Sequence, residues 1–168
     1  MRPWLALDFE VEDVGIQDGA VKIKGTARSR NIGHSPATSV TFGNGVVAGD
    51  EACSQLLDRD PQLFDATGRR AIMPGEYLEW PFEAGSSGRE ELKDSSEDPQ
   101  QRVFKTVAIV TVAYKSDYVP GKTLHTSRAW SIHWRRNGTR LDGLPFPGDY
   151  TIRAQDLSLG VQSYSIAT

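Results

Sequence analysis

The sequence predicts an all-β fold, an antiparallel β-sandwich, on three observations. Apolar side chains recur at every second residue along several short runs. Gly, Pro, Asn and Asp separate those runs as turns. Helical periodicity hardly shows. A sandwich is the two-layer solution for strands with one apolar side, and a closed barrel satisfies the same alternation.

In WLALDFEV, Leu5, Leu7, Phe9 and Val11 share one face and Asp8 and Glu10 the other, which is a strand with one buried side. Asp18-Gly19 is a strong hairpin pair. The run AVKIKGTAR then sends Val21, Ile23, Gly25 and Ala27 one way and Lys22, Lys24, Thr26 and Arg28 the other. NIGHSPATSV, residues 31–40, reads as a corner. Gly33 tolerates a positive φ, while Pro36 removes a ladder donor and holds Ser35 extended.

Ala37 to Val47 is a third strand, loosened by Gly43 and Gly45. A short helical insert is expected over about 50–65, capped by Asp50 and again at Asp60-Pro61, with Cys53, Leu56 and Leu57 on its apolar side. Met73-Pro74-Gly75 is a turn, and Tyr77 to Phe82 a strand holding Trp80. Residues 85–101 are polar and Gly/Ser-rich, the composition of a flexible solvated loop. Val103 to Tyr114 is apolar on nearly both faces, as a covered central strand would be. After a turn over 117–122, Ser127 to Trp134 places Trp130, Ile132 and Trp134 on one face and His133 on the other. Residues 137–168 read as an irregular C-terminal extension that wraps a sheet edge and ends in a short strand, Leu157 to Tyr164.

A chain of 168 residues fits one domain, here 1–168 with its core over about 3–135. Hydrophobic residues at 38% and charged residues at 24% describe a soluble globular protein. A net charge of −3 argues against a nucleic-acid partner, which calls for a basic excess. No run approaches the roughly 18 apolar residues that cross a bilayer. The opening MRPWLALDFE turns acidic too soon for a secretory signal. With Cys53 alone, neither an intrachain disulfide nor a multi-thiolate zinc site is available, and the compartment stays open.

Asn31-Ile32-Gly33 followed by Ser35-Pro36-Ala37 resembles the N-x-G-x-(S/T)-P-A element of immunoglobulin-like extracytoplasmic domains in bacterial membrane-anchored proteins of unknown function. Arg2-Pro3-Trp4 is similar to that family's R-(P/A)-W start, and Met73-Pro74-Gly75 to its (I/F/M)-P-G turn. The strand ending at Tyr114 and the basic, aromatic strand from His125 to Trp134 are similar as well. The resemblance covers about residues 2–135 and rests on the order of these motifs. It implies an immunoglobulin-like sandwich in the periplasm or another extracytoplasmic space, tethered to the inner membrane by one or two helices preceding the domain. Any such tether lies outside this chain, and a cytoplasmic location stays open. The family has no assigned catalytic residues, so the resemblance implies none here.

Histidine is present at 34, 125 and 133. His34 and Ser35 are adjacent, but on an extended backbone neighbouring side chains diverge, and no G-x-S-x-G elbow surrounds Ser35. His125 and His133 invite a metal site with Asp117 or Asp142, yet no spacing matches a metal motif, and Asp58-Arg59-Asp60 lacks the rest of a calcium loop. No catalytic, metal or cofactor site is therefore assigned. Gly43-Asn44-Gly45 is no phosphate fingerprint, and Asn137-Gly138-Thr139 matches a glycosylation sequon that short chains carry by chance. The patch that stands out is Trp130, His133, Trp134, Arg135, Arg136 and Arg140, with Lys122 and Arg128 upstream and no acidic residue from Lys122 to Arg140. The structural alternative packs the tryptophans inward and solvates the arginines. The functional one is a surface for an anionic partner, where arginine forks and aromatic faces are favoured.

The sequence thus points to a non-enzymatic binding or structural module whose partner is a protein or an anionic surface. The rivals are a small histidine/carboxylate hydrolase or metal-binding enzyme, and a virion or secretion-system accessory domain.

Overall fold

The computed structural model describes residues 3–18, 20–48, 70–86, 103–145 and 149–167. The strands are β1 (Leu5–Gln17), β2 (Ala20–Asn31), β3 (Ala37–Ala48), β4 (Arg70–Ile72), β5 (Tyr77–Gly85), β6 (Val103–Phe104), β7 (Thr106–Lys115), β8 (Thr123–Arg136), β9 (Thr139–Leu141), β10 (Leu144–Pro145), β11 (Tyr150–Arg153) and β12 (Leu157–Ala167). Among the described residues there is no α-helix, only a 3-10 turn at Ala154–Asp156. The expected helical insert over 50–65, including Cys53, lies outside the described residues, as does the expected loop beyond Ser86.

Apart from a two-stranded β10-β6 ribbon, the strands form two antiparallel sheets packed as a sandwich. One has the order β11-β1-β2-β5, the other β12-β8-β7-β3-β4 with β9 also paired to β8. The inward faces fill a single core. Leu7, Phe9, Val14, Val21, Ile23 and Phe82 of the first sheet meet Val40, Phe42, Val110, Val112, Trp130 and Ile132 of the second. Phe9 packs against Trp130 with ring centroids 5.6 Å apart, and Phe42 stacks on Trp80 at 3.9 Å. Trp80 Nε1 donates across the layers to Asn44 Oδ1 at 3.1 Å, satisfying the buried indole.

The burial alternation of β1 changes phase midway. Leu5, Leu7, Phe9 and Val11 are buried, and then Val14 and Ile16. Pairing with β2 jumps from Val11↔Gly25 to Asp13↔Lys24, so Glu12 is the extra residue of a bulge that returns the apolar set to the core. Gly25 sits opposite it. A Cβ there would fall on the Glu10 carbonyl oxygen and lie 2.9 Å from Phe9 Cε2. At the far end of β1 the register joins Gln17 to Ala20, and Asp18 takes a φ of 52°, as a two-residue hairpin requires. Outward-facing charges pair across the strands: Asp8 lies opposite Arg28, Arg28 opposite Glu79 and Lys24 opposite Glu83. Arg28 Nε donates to Glu79 Oε1 at 2.6 Å.

The central strand β7 is buried on both faces from Thr106 to Tyr114. One face joins the main core, while Val107 and Ile109 form a second cluster with Ala129 and Val47. The expected single strand from Val103 is two strands, however. The ladder breaks at exposed Lys105, and β6 pairs with β10 instead of continuing β7.

The expected irregular extension over 137–168 is mostly sheet. Asn137 and Gly138, at φ 50° and 80°, turn β8 back into β9. Strand β11 covers part of the β1 edge, and β12 runs along β8 and is longer than the strand expected over 157–164. Gly138 and Gly143 separate strands of two or three residues, β9 and β10, whose alternation is too brief to register as sequence periodicity.

Candidate functional site

NIGHSPA is a corner built around Asn31. Its side chain has no exposed surface. Nδ2 donates to the Ser35 carbonyl at 2.8 Å and to the Ile72 carbonyl at 2.9 Å, while Oδ1 accepts from the Gly33 N–H at 3.0 Å. The Asn31 backbone accepts from Gly75 N–H and donates to the Glu76 carbonyl. Met73 to Glu76 is a turn closed by Glu76 N–H on Met73 O, with Gly75 at φ 84°, the type II geometry that wants Pro then Gly. One buried amide thus joins two motifs more than forty residues apart in sequence. His34 is exposed and Ser35 buried, so the two side chains do not converge.

The residues singled out from the basic and aromatic run separate along β8. A strand advances about 3.3 Å per residue. Lys122, just before β8, and Arg135, near its end, therefore lie on the order of 40 Å apart. Trp130 is a core residue, 3% exposed. Arg128 lies 5.5 Å over its ring and donates from Nη1 to the Leu7 carbonyl at 2.8 Å, bridging the sheets. What reaches solvent together is the β8–β9 hairpin. Arg135 pairs with Arg140 and Arg136 with Thr139, and all three arginines are exposed. Arg136 lies 5.7 Å over the half-buried Trp134 ring.

His133 faces away from the main core, 8% exposed, opposite Ser158 of β12. Arg140 Nη2 lies 2.7 Å from its Nε2. A guanidinium only donates, so Nε2 accepts, and the imidazole is neutral with its proton on Nδ1. Asp142 Oδ1 stands 3.7 Å from that Nδ1 and 3.9 Å from Arg140 Nε. Burial first, and the Arg140 charge second, hold the His133 pKa below the ordinary imidazole value, with Asp142 opposing. His133 thus fixes the Arg140 side chain against β8. Asp142, which the sequence offered only as a possible metal partner of the histidines, is folded back on His133 by the hairpin as a charge neighbour.

His125 lies eight residues from His133 on the same face of β8, on the order of 26 Å away, so the two histidines do not meet. Among the described residues no group of three or more His, Cys, Asp or Glu side chains is placed to hold a metal. Two open clefts, about 390 and 550 Å³, lie over Gly25 and Pro81 and beside the β1–β2 hairpin, and neither is lined by histidine.

Fold and side chains together define an all-β antiparallel sandwich carrying an arginine-rich hairpin. Comparison with protein-family models, curated proteins and solved structures finds no match.

Proposed function

We propose that the chain is a non-enzymatic immunoglobulin-like module that binds or spaces, and that it forms the extracytoplasmic part of a bacterial membrane-anchored protein. Strand order carries the reading. In immunoglobulin sandwiches the strands A, B and E of one sheet face C, F and G of the other. Lettered in chain order with no counterpart to strand D, the long strands here run β1-β2-β5 against β8-β7-β3, which is A-B-E against G-F-C. Strands β11 and β12 add one flank to each sheet. The joining of the N-x-G-x-(S/T)-P-A element and the P-G turn through Asn31 gives the quoted motifs a shared structural purpose, which favours the resemblance.

The contact surface in this reading is the β8–β9 hairpin, where Arg135, Arg136 and Arg140 offer forked donors to an anionic partner. The double variant Arg135→Glu/Arg136→Glu, used as bait in native extract beside the wild type, is expected to lose the partner that the wild type retains. Equal recovery by both baits overturns the assignment of the hairpin. Fractionation of native cells tests the location, with recovery in the membrane fraction expected and recovery in the cytosol alone overturning it.

A further inference from the structure

Among the described residues, the large hydrophobic side chains that reach solvent are concentrated at the end of the sandwich opposite the arginine hairpin. Among the described residues Trp4, Ile32, Met73, Tyr77 and Tyr118 are between 47% and 64% exposed, and of the large exposed hydrophobics only Val161 lies elsewhere. Separate segments bring them to one end. Ile32 N–H donates to the Trp4 carbonyl at 2.8 Å, and Gly75 N–H to the Asn31 carbonyl, drawing in the Met73 turn. Tyr77 is opposite Arg30 in the β2–β5 ladder. The pairing of Thr38 with Lys115 sets the 116–122 loop, with Tyr118, beside the start of β3.

We propose that this end is a membrane-docking surface whose side chains enter the lipid–water interface. Two features select that occupant, on roughly 500 Å² of exposed apolar surface. Trp and Tyr carry an apolar ring with a polar edge, the combination that settles at headgroup level. Exposed Arg30, Lys115 and Lys122 stand beside them for anionic headgroups. Among the described residues the acidic groups at this end are Asp117 and Glu76, and the Glu76 carboxylate already accepts from Met73 N–H at 3.1 Å. Both clefts open elsewhere. The docking needs no anchoring segment and leaves the arginine hairpin pointing away from the bilayer.

The test is co-sedimentation of the isolated chain with vesicles of phosphatidylcholine and phosphatidylglycerol. The wild type is expected to pellet with them, and lipids brominated on the acyl chains are expected to quench a part of the tryptophan emission that Trp4→Phe removes. Ile32→Ser/Tyr118→Ser, shown to be folded by an unchanged urea midpoint, is expected to bind at least about tenfold more weakly. Arg135→Glu/Arg136→Glu is expected to bind as the wild type does. The proposal is overturned by a wild type that stays in the supernatant, by full binding of the Ile32/Tyr118 variant, or by loss of binding in the arginine variant. It is also overturned if the wild type sediments as a dimer that the Ile32/Tyr118 substitutions dissociate. Should that pair not fold, absence of quenching in the wild type decides alone.

Discussion

Asn31 fills three hydrogen-bond roles with a side chain that water does not reach, so its removal strands the groups around it. Asn31→Ala leaves the Ser35 and Ile72 carbonyls and the Gly33 N–H without their partner, at a cost of about 2–4 kcal/mol. Urea denaturation should show a lower midpoint with an unchanged slope, and an unmoved midpoint would refute the role. Asn31→Asp keeps the acceptor, loses both donors and buries a charge, and is expected to be at least as damaging. The corner is legible in the sequence through Pro36, whose backbone limits are intrinsic, while the positive φ that Gly33 would tolerate is not taken up there. The amide is not legible, because Ile72 comes into range only through the fold. His133 makes a second prediction. Its folded-state pKa is depressed, so below the ordinary imidazole value the unfolded chain binds more protons and stability rises with pH. The contribution is complete above about pH 6.5 and is lost as pH falls toward and through the lowered value. The groups facing His133 are Arg140, Asp142 and Ser158. Urea midpoints measured between about pH 5 and 8 should decline more steeply on the acid side for the wild type than for His133→Gln. Parallel profiles would exclude His133 as the cause.

At the level of the elements, β1 shows what alternation can and cannot report. The odd-numbered set Leu5 to Val11 and the even-numbered Val14 and Ile16 are both visible in the sequence, and the change of parity marks the bulge at Glu12. A strand ended at Val11 misses it, because period-two reading treats a phase change as a boundary. Gly25 is the partner that makes the bulge possible. In the sequence it looks like one more inward residue of β2, whereas the structure brings the Glu10 carbonyl onto the site of its missing Cβ. Gly25→Ala must therefore push β1 and β2 apart or abolish the bulge, with an expected loss of about 2–3 kcal/mol, at the upper end for overpacking. Gly15→Ala is the matched control, since an added Cβ meets only Thr151 Oγ1 at 3.9 Å. Equal midpoints for the two variants would show that close approach at Gly25 is unimportant. The hairpin at Asn137-Gly138 teaches the converse. Its Asn-Gly pair is a strong turn signal, but three-residue β9 is too short for the alternation that would confirm it.

At the scale of the whole molecule, the period-two runs make the two-layer architecture legible, and the motif-bearing stretch to Trp134 suggests a core complete near residue 135. The closing segment contradicts that boundary energetically. Leu144, Ile152 and Leu157, all beyond it, are buried members of the main core, and β11 and β12 lie along β1 and β8. Burial of one such side chain is worth about 1.5–3 kcal/mol. Three of them together contribute roughly 5–9 kcal/mol, comparable with the whole net stability of an ordinary domain, about 5–15 kcal/mol. Removing β12 also bares the β8 backbone, a hydrogen-bonding edge that recruits other chains. A chain ended after Arg136 should therefore fail to yield a stable monomer, giving aggregates on size-exclusion chromatography and no cooperative urea transition. Were that shortened chain instead to elute as a monomer with a sharp transition, the sandwich would be self-sufficient without its last strands, and β11 and β12 would be attachments to a finished fold.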